Sequence, residues 1–287
     1  NITTGGVGKT PLVIWITRIL ENKGRKVVVL SRGYKSCDGT NDEIEMFKEV
    51  LPHVPVMIGR DRRKSIQKAV DQGQVDMFLA DDAFQHWPLK RDLDIVAIDA
   101  VNPFGNGYML PRGFLREKPL ALNRADVFVL TKTDKVQSTK ELRSQLNRIN
   151  NKALIVESCH VPLHFREVFT GRIHGISALM NQKVVAFCAI GDPSSFEYVI
   201  KKLEVSLVKD FIFTDHHHYS KDDIKIVADY ARGENINILV TTHKDAVKIK
   251  SFEDIFKGLT IFSLDINLEI TQGQDELIKR ILSLQNN

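Results

Sequence analysis

The chain has 287 residues, 43% of them hydrophobic, enough to bury one large core or two modest ones and too apolar for an intrinsically disordered chain. Its 40 Lys and Arg against 36 Asp and Glu leave a formal charge of +4, which suits an anionic partner but is too weak to mark a nucleic-acid binder, so no nucleic acid is expected. The three cysteines, Cys37, Cys159 and Cys188, form neither a disulfide framework nor a zinc-ligand spacing, and no apolar run approaches the roughly 20 residues that span a bilayer.

The first motif is Thr4-Gly-Gly-Val-Gly-Lys-Thr10, running directly into an apolar segment that predicts a helix over 10–22. Glycines allow backbone N–H groups to converge on phosphate oxygens at a helix N-terminus, so Thr4, Gly5, Gly6, Val7, Gly8, Lys9 and Thr10 are expected to cradle a nucleotide triphosphate. Lys9 would add charge at the β and γ phosphates, and the Thr10 hydroxyl is a Mg²⁺ ligand candidate. Thr3 stands where the full pattern has glycine, and the alternative is a glycine-rich turn without a ligand. Such a loop ordinarily hangs from a first strand, yet Asn1 lies only three residues before it, so that strand is expected upstream.

Strands are predicted at 26–31, 54–58, 75–80, 93–98 and 125–130, with a second helix at 61–71. Asp81 and Asp82 follow the third of these strands, where a carboxylate holds Mg²⁺ or water opposite a phosphate loop; an Asp pair capping a turn is the plainer reading. Gln85 and His86 sit on the same turn, within reach of a ligand or packing the turn itself. Arg60, Arg62, Arg63 and Lys64 open the second helix, either for an anionic surface or as a solvated face. Thr131-Lys-Thr-Asp134 resembles a guanine-reading element and keeps a GTPase in view.

Residues 153–173 read as an extended crossover into a second series: strand 183–188, helices 194–203 and 221–231, strands 236–241 and 259–263, and a closing helix at 276–284. The expected fold is α/β, a P-loop NTPase-like three-layer α/β/α core with a mainly parallel sheet plus a second, smaller α/β lobe. The expected domains are 1–150, binding nucleotide and lacking its first strand, and 151–287, whose closing helix packs back on the first.

Phe78-Leu-Ala-Asp-Asp-Ala-Phe-Gln-His86 together with the glycine loop resembles the tetraacyldisaccharide 4'-kinase family. Further motifs recur in order: Ser31-Arg-Gly-Tyr34, Asn41-Asp-Glu43, Gly105-Asn-Gly107, Leu110-Pro-Arg-Gly-Phe-Leu-Arg-Glu117, Ala189-Ile-Gly-Asp-Pro193, Asp215-His-His-His-Tyr219 and Thr242-His-Lys-Asp-Ala-Val-Lys248. Ala83 and Asn41 stand where the family usually has Gly, Arg112 where Ala is common, and His243 where Glu is common.

The resemblance implies transfer of the γ-phosphoryl of ATP, with Mg²⁺, to the 4'-hydroxyl of an acylated glucosamine disaccharide 1-phosphate. Asp42 and His216 would form the dyad that accepts and orients the hydroxyl proton, with Lys9 and Asp82 completing the catalytic set. Asn106, Arg112, Arg116, Gln85 and His86 would contact substrate, and Thr10, Asp81 and Asp82 the metal. The implied address is the cytoplasmic face of the bacterial inner membrane as a peripheral protein, although the family's anchoring N-terminal helix is not among these residues. Rival readings are a regulatory ATPase of the deviant P-loop class, which needs a lysine at the position of Thr4, the GTPase, and a truncated relative that binds nucleotide without transfer.

Overall fold

A computed structural model describes residues 1–33, 42–59 and 61–284, leaving aside the side chains of residues 42–44. In chain order its elements are α1 (Lys9–Asn22), β1 (Val27–Ser31), α2 (Asp42–Val50), β2 (Val56–Ile58), α3 (Arg62–Gln72), β3 (Met77–Ala80), β4 (Ile95–Asp99), β5 (Val127–Thr131), α4 (Lys140–Ile149) and β6 (Leu154–Glu167). There follow β7 (Ile173–His174), β8 (Lys183–Cys188), α5 (Pro193–Lys202), β9 (Ser206–Ile212), α6 (Lys221–Gly233), β10 (Ile238–Thr242), α7 (His243–Ile249), β11 (Thr260–Gln272) and α8 (Gln274–Leu282).

The strands among the described residues form two sheets. One is a three-stranded parallel sheet in the order β2-β1-β3, and the other is eight-stranded and mainly parallel, with β7 antiparallel to β6. The chain divides into two compact units, Asn1–His160 with Leu268–Asn287, and Val161–Asn267.

In the first unit β1 and β5 are buried at every position, as parallel strands covered on both faces must be. Alternate side chains of β5 explain the covering. Val127 and Val129 pack with Leu12, Ile16 and Leu20 of α1 and Leu277 and Ile281 of α8, while Phe128 and Leu130 pack with Leu142 and Leu146 of α4. The period-2 strand thus meets the 3.6-residue period of helices on each side. In the three-stranded sheet, Val29 joins Val13, Phe47 and Leu51, and Val28 and Leu30 join Ala69 of α3.

In the second unit β10 lies between β8 and β11, and β9 is added beyond β8. Val185 and Phe187 face Ile224, Val227 and Ala231 of α6, whereas Val184, Ala186 and Cys188 face Phe196, Val199 and Ile200 of α5. Strand β9 was not predicted. Its sequence, Ser-Leu-Val-Lys-Asp-Phe-Ile, is half exposed and broken by charges, which an edge strand tolerates and a periodicity search passes over.

A polar knot also braces this unit. The Asp265 carboxylate, 9% exposed, takes a hydrogen bond from Arg166 Nε (3.0 Å) and Ser263 Oγ (3.0 Å), with His164 Nε2 at 2.9 Å and His243 Nδ1 at 3.0 Å. Burial pushes this carboxyl up, but His243 and Arg166 outweigh it and bring it from the ordinary 3.8 down to about 2. A pKa lowered on folding stabilises the folded state above the unfolded value and loses that effect as pH falls from about 4 to about 2, an amount of about 2 kcal/mol. Asp265→Asn is therefore expected to lower stability at pH 7 by about that much and to flatten the acid side of the urea-stability profile; an unchanged profile would remove the knot from the account.

Candidate active site

The glycine loop 4–10 runs directly into α1 (Lys9–Asn22). Gly8 lies in the left-handed region (φ 82) immediately before α1, and Gly5 does likewise (φ 105), conformations that residues with a Cβ resist. A Cβ on Gly8 would also lie 3.0 Å from His160 Nε2, so the loop closes tightly onto the middle of β6. Burial first, then the charge of Lys132, lowers His160 to about 4, which keeps this imidazole neutral at pH 7. The loop is held from below by Thr131, whose hydroxyl donates to the Val7 carbonyl (3.0 Å) from the carboxyl end of β5. The carboxyl end of a parallel strand is where α/β sheets receive ligands.

The first loop residue and the segment before it pair with a distant segment: Thr4 N donates to Phe114 O (2.8 Å) and Arg116 N donates to Ile2 O (2.7 Å). This pairing brings Arg116 to the loop. Asp82, after β3, meets both cations, with Arg116 Nη1 at 2.7 Å and Lys9 Nζ at 3.7 Å. Burial pushes the Asp82 carboxyl up, but Lys9 and Arg116 outweigh it and hold it below the ordinary carboxylate value. Asp82 is itself left-handed (φ 48). The conformation is fixed by Arg62, whose Nη2 donates to the carbonyls of Asp81 (2.6 Å) and Asp82 (3.5 Å).

That last contact corrects the sequence reading of the basic cluster. Arg62 is 2% exposed and points inward to the acidic turn, so it belongs to no anionic-surface patch, whereas Arg63 is exposed. Arg60 lies outside the described residues. The Thr131–Asp134 segment is likewise engaged internally: Thr131 holds the loop and the Lys132 ammonium is buried in an ion pair with Asp99 at the end of β4.

A glycine loop at a helix N-terminus, facing one lysine, one arginine and a paired carboxylate, is chemistry for phosphate. A family profile described as Tetraacyldisaccharide-1-P 4'-kinase matches residues 1–285. The chain belongs to the tetraacyldisaccharide-1-P 4'-kinase family. The activity that goes with it is tetraacyldisaccharide 4'-kinase, a reaction of lipid A biosynthesis. Among similar proteins, the tetraacyldisaccharide 4'-kinase of Halothermothrix orenii is 35% identical over 98% of this chain and 82% of its own length. That of Syntrophobacter fumaroxidans is 36% identical over 96% of this chain and 75% of its own. A crystal structure of an "apo" form of LpxK from Aquifex aeolicus in complex with ATP superposes with a TM-score of 0.73 at 26% identity, covering 98% of this chain and 86% of that one.

The other residues expected in a tetraacyldisaccharide 4'-kinase site fall into two groups. Gln85 Nε2 donates to the Asn1 carbonyl (3.0 Å) and to Glu117 Oε2 (2.8 Å), and Glu117 is in turn bound by Arg124 (2.9 Å). Glu117 was read only as the end of a motif; its role as the anchor of Gln85 has no local signal in the sequence. His86 N donates to Ala83 O (2.8 Å), and burial, then Arg62 and Arg91, lower the imidazole below its ordinary value, favouring the neutral form. Asn106 braces its loop, accepting from Tyr108 N (3.3 Å) and donating to Arg112 O (3.3 Å), while the Arg112 guanidinium stacks 4.0 Å above the Tyr108 ring.

Asp42 is the first residue of α2, and its side chain lies outside the described residues, as do Tyr34 and Asn41 entirely. His216 belongs to the second unit, where its backbone is left-handed (φ 60) and its Nε2 lies 3.2 Å from Lys244 Nζ. Lys244 also donates to Asp215 (3.3 Å). His217, by contrast, is tied to Asp223 (3.0 Å) and stacked on Phe213, so of the two described neighbours it is the one committed to packing.

Proposed function

We propose that this chain binds ATP through its loop 4–10 and transfers the γ-phosphoryl group to the 4'-hydroxyl of tetraacyldisaccharide 1-phosphate, on a P-loop NTPase-like three-layer α/β/α core joined to a smaller α/β lobe. The observation that carries the reading is the Lys9–Asp82–Arg116 cluster at the N-terminus of α1. Without nucleotide, Asp82 is the anion that these two cations share. A triphosphate competes for the same cations, drawing Lys9 to the β and γ phosphates and leaving Asp82 for another partner.

That partner fits Mg²⁺. Asp82 Oδ1 is buried and, among the described residues, takes no hydrogen bond, Lys9 lying 3.7 Å away; Thr10 follows Lys9 at the helix start, and Asp81 adjoins Asp82. Few protein oxygens suffice, because Mg²⁺ keeps several waters and takes phosphate oxygens. When bound, it would neutralise charge developing on the transferred phosphoryl group.

The chain's own residues do the rest. The loop amides and Lys9 hold the triphosphate in line; Asp42 accepts the proton of the 4'-hydroxyl, with His216 as the second member of the dyad that the family resemblance implies. The sugar oxygen then bonds to the γ-phosphorus, the bond from that phosphorus to the β–γ bridging oxygen breaks, and ADP leaves. Asn106, Arg112, Gln85 and His86 surround the acceptor, and Arg116, once released from Asp82, joins Arg112 in binding its 1-phosphate. The work takes place at the cytoplasmic face of the inner membrane. The ATP complex of LpxK from Aquifex aeolicus supports the nucleotide choice. A transfer assay with labelled nucleotide tests the reading: ATP with Mg²⁺ is expected to give the 4'-phosphorylated product and chelation to abolish it, whereas preference for GTP, or full turnover in excess chelator, would overturn it.

A further inference from the structure

The loop that delivers Arg116 carries an apolar tip that the described residues cover only in part, Arg112 stacking on the Tyr108 ring. Tyr108, Met109, Leu110 and Phe114 are 47%, 38%, 52% and 51% exposed, four large apolar residues within seven positions. The tip is folded on itself: Leu110 N donates to Leu115 O (2.8 Å), Gly113 N to Met109 O (2.9 Å) and Leu115 N to Tyr108 O (3.0 Å). A Cβ on Gly113 would stand 2.3 Å from the Tyr108 carbonyl, so only glycine permits this closure. Leu115, at the base, is 1% exposed. The backbone is thus committed to a shape that presents its apolar side chains to solvent, an arrangement that costs free energy unless something covers them.

Charge narrows what that cover is. Residues 101–116 contain no Asp or Glu, and the cations at hand, Arg112 in the tip and Lys118 beyond its base, are exposed. An apolar tip with one exposed cation and no carboxylate of its own, the nearby Glu117 being held by Arg124 and Gln85, matches the interface of an anionic bilayer, where the rings and alkyl groups enter the acyl boundary and the cation stays at the headgroups. The base of the same loop is hydrogen-bonded to the phosphate loop, through Thr4 N to Phe114 O (2.8 Å).

We infer that the tip 108–114 docks on an anionic phospholipid surface by inserting Tyr108, Met109, Leu110 and Phe114, which sets the phosphate loop beside the surface that holds the lipid acceptor. This rests on the membrane-face reading above and deepens it, since it names the part of the first unit that touches the bilayer.

The test is sedimentation of the 287-residue chain with vesicles, without acceptor. Vesicles containing phosphatidylglycerol are expected to carry down the protein, and pure phosphatidylcholine vesicles much less. Met109→Ser combined with Leu110→Ser is expected to weaken binding to the anionic vesicles roughly tenfold or more, with nucleotide affinity and thermal midpoint unchanged. As a second measurement, Leu110→Trp is expected to show blue-shifted emission quenched by brominated acyl chains. Unchanged vesicle binding in the serine variant, with a raised KM for detergent-dispersed acceptor, would assign the tip to the acceptor's own acyl chains and overturn the bilayer assignment. Concentration-dependent dimerisation lost in the same variant would assign it to a second copy and do so equally. Failure of the kinase reading is distinguishable, because it would abolish transfer in detergent while leaving vesicle binding in place.

Discussion

Lys9→Ala is expected to reduce phosphate transfer about a thousandfold or more while the protein stays folded. The loss follows from geometry. Lys9 opens α1 next to the left-handed Gly8, so on the proposed reading its ammonium is the side-chain charge that loop 4–10 would bring to a bound triphosphate. Stability is expected to change little, because the pair with Asp82 is a 3.7 Å contact between partly exposed side chains, and Asp82 keeps its shorter bond to Arg116. Turnover measured beside a thermal melt separates the two effects. Near-normal transfer would remove the loop from the active site, and unfolding would mean that the ion pair is structural.

The second large effect is expected at Asp42. Asp42→Ala should lower kcat by about a hundredfold to ten-thousandfold, the range of a positioned general base, and leave the affinity for ATP within a few-fold of the unaltered protein. Asp42→Asn should behave alike, since an amide keeps the size and loses the proton acceptor. His216→Ala is expected to share part of the same loss, and the double variant to be little worse than Asp42→Ala alone, because residues acting as one unit do not add. A loss confined to ATP binding would reassign Asp42 to the nucleotide, and additive losses would separate it from His216.

What the sequence disclosed was local. The helix start after the glycine loop was legible because Gly5, Gly6 and Gly8 lead straight into an apolar run, and α1, β1, β3, β5 and β8 were legible because strands and helices covered on one or both faces carry a periodic apolar signal. Asp82 could be named from its position after β3, but not its ion pair with Arg116, which depends on a pairing between residues 2–4 and 114–116 that no periodicity encodes. Arg62 was misread for the same reason. In sequence it is one of a row of cations, and only the fold turns it inward onto the carbonyls of Asp81 and Asp82 while Arg63 faces solvent.

His243 gives the converse lesson. It stands where the family commonly has Glu, and it lies 3.0 Å from Asp265, where a carboxylate would face another carboxylate. The contact was hidden in the sequence because His243, the first residue of α7, directly follows β10, and β10 and β11 are neighbours in the sheet but distant in the chain. Likewise β9 and the far half of β11 were passed over, since their charges and exposed positions interrupt the pattern that marks a strand.

The central proposal is an exchange of anions at Lys9: a carboxylate in the free protein, a triphosphate in the working one. A crystal structure of the chain with Mg²⁺ and a non-hydrolysable ATP analogue reads this directly. The predicted result has Lys9 Nζ on the β and γ phosphate oxygens and withdrawn from its 3.7 Å contact with Asp82, whose freed carboxylate turns to the metal. A triphosphate bound elsewhere, with Lys9 and Arg116 still on Asp82, would contradict it.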